Sequence, residues 1–201
     1  MKLKNLYTKY NTDKGTTHSY IEIYDEIFEP YKNQQINFLE IGCLTCESLR
    51  MFDEFFTSAK IYGIDNWSQR TDFTNESLLE KDIDIISILN DIKKNHPNIN
   101  IITCDSTDLS QVESKLKGLR FKLIIDDGDH SQWSQLTTFQ NMINFLEEGG
   151  TYIIEDVNRY YIHGLVKSLK DHMTIWNLNL TVQAIEWHKN NRPDDAIIII
   201  K

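Results

Sequence analysis

Short apolar runs alternate with amphipathic stretches along the whole chain. Ile36 to Gly42 (INFLEIG) is an apolar run that ends in glycine, the pattern of a buried strand running into a turn. Ser48 to Phe56 then has helical spacing, and Lys60 to Asp65 (KIYGID) reads as a second strand ending in a carboxylate. Ser77 to His96 reads as a long helix stopped near Pro97. Asn98 to Asp105 is a third strand, again with a terminal carboxylate, followed by a short helix over LSQVESKLKG with glycine after its end. FKLIIDDGDH predicts a fourth strand and a turn, Gln135 to Gly150 a helix closed by glycines, and TYIIED a fifth strand. A helix around Tyr160 to Met173 precedes two β-rich runs, Leu180 to Trp187 and Ala196 to Ile200. Ahead of the first strand, Tyr20 to Tyr31 reads as one more helix, preceded by a polar arm.

Strands that alternate with helices imply right-handed crossovers, and so a parallel sheet with helices on both faces. The connection between the last two runs holds Asn190, Asn191 and Pro193 and is too short for a crossover helix. That pair is expected to be antiparallel. The fold class predicted is therefore α/β: a Rossmann-like, doubly wound, mostly parallel seven-stranded sheet with a C-terminal antiparallel hairpin. Residues 1–35 are expected to form an arm and helix covering the active site, and residues 36–201 the main domain.

Composition narrows the partners. The chain has 201 residues, 40% of them hydrophobic, enough for a core without disulfide or metal staples. Its net charge of -9 gives no general attraction to phosphate backbones or anionic membranes, so neither nucleic acid nor membrane is expected as a partner. No stretch has the length of a membrane span, and the amino terminus lacks the apolar core of a signal peptide. Cys43, Cys46 and Cys104 make an odd set without a disulfide framework, which points to a reducing, cytoplasmic setting. The C-x-x-C at Cys43 and Cys46 lacks a second Cys/His pair at zinc spacing and a thioredoxin pattern, so it reads as two small residues packing a turn. A homo-oligomer is compatible with all of this.

The carboxyl ends of the parallel strands carry the candidate chemistry, because ligands of open α/β sheets bind there, where the strand order reverses. Glu40, Asp65, Asp105, Asp126 with Asp127, and Glu155 with Asp156 all fall at that edge. Each one alone has an ordinary reading as a turn or helix cap. Asp65, at the end of the second strand, can accept hydrogen bonds from both ribose hydroxyls of an adenosine cofactor. The turn after the first strand, GCLTCES, has only Gly42 and not the glycine-rich pattern that a dinucleotide pyrophosphate needs. S-adenosylmethionine has no phosphate and bears a positive sulfonium, and it suits a glycine-poor, carboxylate-rich mouth better. Asp105 and Ser106 fall where the adenine edge would lie; capping the helix that starts near Leu109 is their competing role.

IIDDGDH and YIIED bring two acidic pairs to neighbouring strand ends. Carboxylates so close repel, and some must bind protons unless a cation joins them. Oxygen-only ligands select a hard divalent ion such as Mg²⁺. Carboxylates spread apart as helix caps are the alternative. His130, three residues after Asp127, can take a proton from a substrate hydroxyl at neutral pH.

These stretches together resemble a known family: the Mg²⁺-dependent sugar O-methyltransferases of the macrolide and mycinamicin type, which have the class I methyltransferase fold. TDKGTTHSYIEIYDEIF is similar to the family's DKG…H.Y…Y…F segment, FLEIG with SLRMF to its first strand and helix, and IIDDGDH with EEGGTYIIEDV to its metal-and-base region. The resemblance spans Thr12 to Val157. It implies Asp127, Glu155 and Asp156 as metal ligands, and His130 as general base. It further implies Glu40, Gly42, Asp65 and Asp105 around the cofactor, and Asp13, Lys14 and His18 over the active site. The sequence departs from the family at the glycine-poor turn and at Asp129, where a small residue is usual.

The expected activity is S-adenosylmethionine-dependent, metal-assisted methylation of a sugar or polyol hydroxyl. The rival readings are a catechol-type O-methyltransferase and a methyltransferase-like module that binds cofactor without turnover. A nicotinamide oxidoreductase is disfavoured by the missing glycine-rich turn.

Overall fold

The computed structural model describes residues 2–67, 84–187 and 192–201. Seven strands form one sheet: β1 (Asn37–Ile41), β2 (Lys60–Asp65), β3 (Ile99–Thr103), β4 (Phe121–Asp126), β5 (Leu146–Ile154), β6 (Val182–Glu186) and β7 (Ala196–Ile200). Their order across the sheet is β3-β2-β1-β4-β5-β7-β6. The first five are parallel, and β7 runs antiparallel between β5 and β6. The expected hairpin is present, with its second strand inserted beside β5.

Among the described residues six α-helices accompany the strands: α1 (Ile21–Phe28), α2 (Glu47–Phe55), α3 (Ile85–Asn95), α4 (Leu109–Lys115), α5 (Gln132–Met142) and α6 (Ile162–Ile175). The expected start of the third helix at Ser77 lies outside the described residues, as do Asn190 and Asn191 of the last connection. No helix among the described residues is long and apolar enough to cross a membrane.

Side chains alternate between the two faces of each strand, so every buried strand feeds two cores. Phe38, Leu123, Ile125 and Ile153 meet α1 and α2 on one face. Leu39, Ile124, Tyr152 and Ile154 meet α5 and α6 on the other. The first core centres on Phe28, Phe38, Phe52 and Phe56, whose ring centroids lie 4.6–6.4 Å apart. Tilted and edge-on aromatic pairs of this kind contribute about 0.5–1.5 kcal/mol each beyond the area they bury. Leu3 and Leu6 of the amino-terminal arm belong to the same core, so the arm is not the wholly polar segment the sequence suggested.

One boundary is corrected. The helix expected over Gln135 to Gly150 ends at Met142, a 3-10 turn covers Ile143–Phe145, and β5 begins at Leu146. Gly149 and Gly150 therefore lie inside a strand. They form a bulge: the β4–β5 register shifts between Phe121 and Leu123, and Gly149 adopts φ +64°. A Cβ on Gly150 would come within 2.8 Å of Glu147 O and 2.9 Å of Lys122 O. The glycines serve close backbone approach in a bulge, not a helix stop.

The chain leaves β3 at one edge and returns to β4 beside β1, so the strand order reverses between β1 and β4. The crevice at the carboxyl ends of these two strands is the switch point where this architecture binds ligands.

Candidate active site

Backbone hydrogen bonds extend the ladder past the ends of the central strands and fix the site residues. Gly42 N donates to Ile64 O (2.8 Å), Asp127 N to Ile41 O (2.9 Å) and Glu155 N to Asp126 O (2.9 Å). Gly42 has φ +86°, and a Cβ there would fall 2.0 Å from Asp127 O. Only glycine lets the turn after β1 pass this close to the loop after β4.

That turn is clamped by Asp65. Its Oδ2 accepts from Cys43 N and Leu44 N, both at 2.8 Å, and its Oδ1 from Trp67 N at 2.7 Å. A carboxylate has about four acceptor positions, so Asp65 retains capacity for one ribose hydroxyl beside these three bonds. Leu44, Cys46, Trp67 and Asp156 all adopt left-handed φ, at 41°, 61°, 47° and 51°. Non-glycine residues in this region carry strain of the kind that gathers at ligand sites. Cys43 and Cys46 are buried, and burial pushes both thiols up, Cys46 to about 12. They pack the turn and are poor thiolates for zinc or redox chemistry.

Asp105 Oδ1 accepts from Thr107 N (2.9 Å) and Thr107 Oγ1 (2.7 Å), and Ser106 Oγ lies 3.0 Å from Thr138 Oγ1. Neither caps α4. That role falls to Asp108, which accepts from Ser110 N and Gln111 N. Asp105 and Ser106 thus form a separate loop over the carboxyl end of β3.

The second half of the site joins β4, β5 and the arm. His130 Nε2 lies 3.3 Å from Asp127 Oδ1, and its Nδ1 lies 3.4 Å from Asp156 Oδ2. Tyr161 donates its hydroxyl to the His130 carbonyl, which ties the loop to the start of α6. One ligand atom each from Asp127, His130 and Asp156 fall within 4.8 Å of one another, close enough to share one divalent cation. Asp129 is not in that group; it accepts from Ser131 N at 2.9 Å.

Lys14 is the residue whose part the sequence did not disclose. It lies in a 3-10 turn, Asp13–Gly15, and is 1% exposed. Its Nζ lies 2.5 Å from Asp127 Oδ2, 2.8 Å from Glu155 Oε2 and 3.3 Å from Glu40 Oε1. The last is an ion pair only, since Glu40 Oε1 makes no hydrogen bond; Glu40 Oε2 accepts from Ser48 Oγ at 2.6 Å. Burial disfavours the ammonium, but the charges of Asp127, Glu155 and Glu40 outweigh it and raise the Lys14 pKa well above the ordinary value.

One cation cannot match all the acids. Burial opposes ionisation of Asp127 too, yet Lys14 and then His130 hold its carboxyl down at about 2. Burial pushes Glu40 up to about 7 and Asp126 to about 7, and raises Glu155 strongly. It also raises Asp156, with the neighbouring charge of Asp127 next in effect. Asp126 faces away from Lys14, with Tyr152 Oη 3.5 Å and Gly128 N 3.3 Å from it. Glu155 is held on both oxygens, by Lys14 on Oε2 and by the Tyr24 hydroxyl on Oε1. His18 completes the arm's contribution: its buried Nδ1 makes no hydrogen bond and lies 3.4 Å from Asp156 Oδ1. Asp13 is at its other side, 3.8 Å from Nε2.

This is the class I methyltransferase fold. Over its full length the chain superposes on 54% of the MycE methyltransferase of the mycinamycin biosynthetic pathway, solved with Mg, SAH and mycinamycin VI, with a TM-score of 0.74 and 23% identity. In sequence it is similar to sugar O-methyltransferases. It is 29% identical over 171 residues, 81% of the chain, to mycinamicin VI 2''-O-methyltransferase of Micromonospora griseorubida. It is 23% identical over 167 residues, 79% of the chain, to 8-demethyl-8-alpha-L-rhamnosyl tetracenomycin-C 2'-O-methyltransferase of Streptomyces olivaceus. The match covers 37% of the first relative and 38% of the second, so the chain spans well under half the length of these curated relatives. No family model matches the chain.

Proposed function

We propose that the chain is an S-adenosylmethionine-dependent, divalent-metal-assisted O-methyltransferase that acts on a hydroxyl of a sugar or glycan-type small molecule. The observation that carries this reading is the meeting of Asp127, His130 and Asp156 at the switch point, beside the Asp65-clamped turn. The relatives named above are sugar O-methyltransferases, and the similarity to them runs over about four fifths of the chain.

In this reading Asp65 receives the cofactor ribose, Asp105 and Ser106 flank the adenine, and Glu40, Gly42 and Asp126 shape the floor of the crevice. Asp127, Glu155 and Asp156 would hold a hard cation such as Mg²⁺, for which their oxygen donors are suited. When bound, the cation supplies positive charge that lowers the pKa of an acceptor hydroxyl, and the cofactor supplies an electrophilic methyl group. His130, between the two carboxylates, takes the hydroxyl proton. With the acceptor seated beside Asp127, His130 and Asp156, its positioning relative to the cofactor would supply an alignment contribution on the order of 7–11 kcal/mol. The unpaired cysteines fit a cytoplasmic protein.

The test is calorimetric titration with S-adenosylhomocysteine in Mg²⁺ buffer, followed by a methyl-transfer screen over sugar, glycoside and catechol acceptors. One-to-one binding that disappears in Asp65→Ala, with turnover on glycosides, is the expected result. Absence of binding would remove the methyltransferase reading, and turnover confined to catechols would remove the sugar.

A further inference from the structure

Two segments form the rim of the crevice beside Asp156. Residues 158–161 follow β5 and precede α6, and residues 192–195 lead into β7. Hydrogen bonds staple the two together: Arg159 N donates to Pro193 O (2.7 Å), and Arg159 Nη2 donates to Arg192 O. Tyr20 joins this strip to the site, since its hydroxyl oxygen lies 2.8 Å from Asp156 Oδ1 and 3.1 Å from Asp194 O. Tyr161 fastens the other end, with its hydroxyl on the His130 carbonyl. Arg159 thus stands between Asp156 and the tether to His130, at the edge of the group that Asp127, His130 and Asp156 form.

The charge of Arg159 is unmatched, whereas its neighbours are paired. Arg192 Nε and Nη2 meet Asp194 at 2.9 and 2.8 Å, and Asp195 accepts from Ser19 N and Oγ at 3.0 and 3.1 Å. Arg159 is partly buried and forms no ion pair among the described residues. Residues 188–191, which complete the connection from β6, contain no acid. A guanidinium has five N–H donors, and one of them is engaged, on a carbonyl. Stapling the strip needs that one donor and the backbone bond, not a charge. In a chain of net charge -9, the missing partner is not for want of acids.

We propose that Arg159 receives an anionic group of the acceptor, so that the substrate of this site is an acidic sugar, one that carries a carboxylate or a phosphate. The inference rests on the sugar O-methyltransferase reading and narrows its substrate. A guanidinium presents its donors in a planar fork that fits two oxygens of either group. The acids of the crevice floor do not claim it, since Asp127 and Glu155 meet Lys14. Tyr160, next to Arg159 and 84% exposed, offers an open ring on which the C–H face of a sugar can rest. Its amide is fixed on Asn158 Oδ1 at 3.0 Å, so the turn is preformed.

Ligand-observed NMR titration of the whole chain, in Mg²⁺ buffer with S-adenosylhomocysteine, tests this without turnover. Methyl glucoside is compared with glucuronate and with glucose 6-phosphate, and the two acidic sugars tell a carboxylate from a phosphate. One of them is expected to bind about ten- to a hundredfold more tightly than the neutral glycoside, the scale of charge-assisted hydrogen bonds. Arg159→Gln keeps a donor for Arg192 O and removes the charge, and it should bring that ratio toward one. Arg159→Lys keeps the charge without the fork and should fall between. Unchanged S-adenosylhomocysteine affinity in both variants reports an intact fold, which a merely structural role for Arg159 would also give, but without the change in ratio. A ratio near one in the wild type, or one that survives Arg159→Gln, would overturn the inference and leave the sugar reading standing. A wild-type chain that binds S-adenosylhomocysteine but no sugar of either kind would overturn both.

Discussion

Lys14 and Asp127 stand 113 positions apart in the chain, yet the Lys14 ammonium donates to Asp127 Oδ2 across 2.5 Å. The arm thus supplies the main positive charge in a buried cluster of acids, and the charge balance of the site is set by a residue outside the sheet. Lys14→Met leaves Glu40, Glu155 and Asp127 without it. Breaking a buried charge pair on one side costs roughly 3–5 kcal/mol. For a chain of this size each kcal/mol moves the melting temperature by about 2–4 °C, so a fall of roughly 6–20 °C is expected. Thermal unfolding followed by circular dichroism at pH 7.5 measures it, and a melting temperature matching the wild type would remove Lys14 from the charge balance.

Gly42 couples the turn after β1 to the loop after β4. A Cβ there would sit 2.0 Å from Asp127 O and 2.6 Å from Asp127 C, both backbone atoms, at φ +86°. Neither neighbour can yield without moving the loop that carries Asp127 and His130. Gly42→Ala is therefore expected to lose S-adenosylhomocysteine and Mn²⁺ binding together, with lowered stability. Titrations of the folded fraction check this, and a variant that keeps Mn²⁺ binding intact while losing the cofactor would show the two halves of the site to be independent.

Burial raises Asp126 from 3.8 to about 7, so the folded protein holds a proton there that the unfolded chain releases. The stabilising effect of that proton is complete below pH 4 and is lost as pH rises toward 7, since the native state binds more protons over that range. The loss is on the order of a few kcal/mol. Asp126→Asn removes the titration while keeping the shape. It should raise the melting temperature relative to wild type at pH 8 and change it little at pH 4.5, in denaturation series at the two pH values. An equal effect at both would mean that the carboxyl is not protonated in the fold.

Much of this arrangement is legible in the chain itself. The runs Lys60–Asp65 and Ala196–Ile200 are strands over those residues, because a buried apolar run between polar breaks has few other options. The edge carrying Asp65, Asp127 and Asp156 follows from parallel topology alone. What escaped depended on distant partners. Glycine after an apolar run reads alike as a helix stop and as a bulge, and only the β4 partner at Phe121 to Leu123 makes Gly149 and Gly150 the latter. Lys14 sits in a polar stretch that looks solvated; the family resemblance places it over the active site, but neither that nor the surplus of acids says which carboxylates it pairs with. Asp105 and Ser106 have the residue types of a helix cap, but the residue that caps α4 is Asp108, nearer the helix.

His130 can act in two ways, and one variant separates them. Its ring nitrogens lie 3.3 Å from Asp127 Oδ1 and 3.4 Å from Asp156 Oδ2, so the ring is placed either to ligate a cation with those carboxylates or to accept a proton beside it. A metal ligand must keep one nitrogen on the ion, which removes that nitrogen from proton transfer. A base needs a free nitrogen toward the acceptor and a carboxylate on the other to steady the imidazolium, and Asp156 stands where that carboxylate belongs. Asp127, Glu155 and Asp156 suffice for Mg²⁺, which is content with one or two carboxylates and water. His130→Ala should therefore lower turnover by about 10²–10⁴-fold, the range for loss of general base catalysis. Mn²⁺ and S-adenosylhomocysteine affinities should stay within about tenfold of wild type, as expected when no first ligand is lost. Should Mn²⁺ binding collapse in His130→Ala, His130 is a ligand, and the hydroxyl proton must leave by another group.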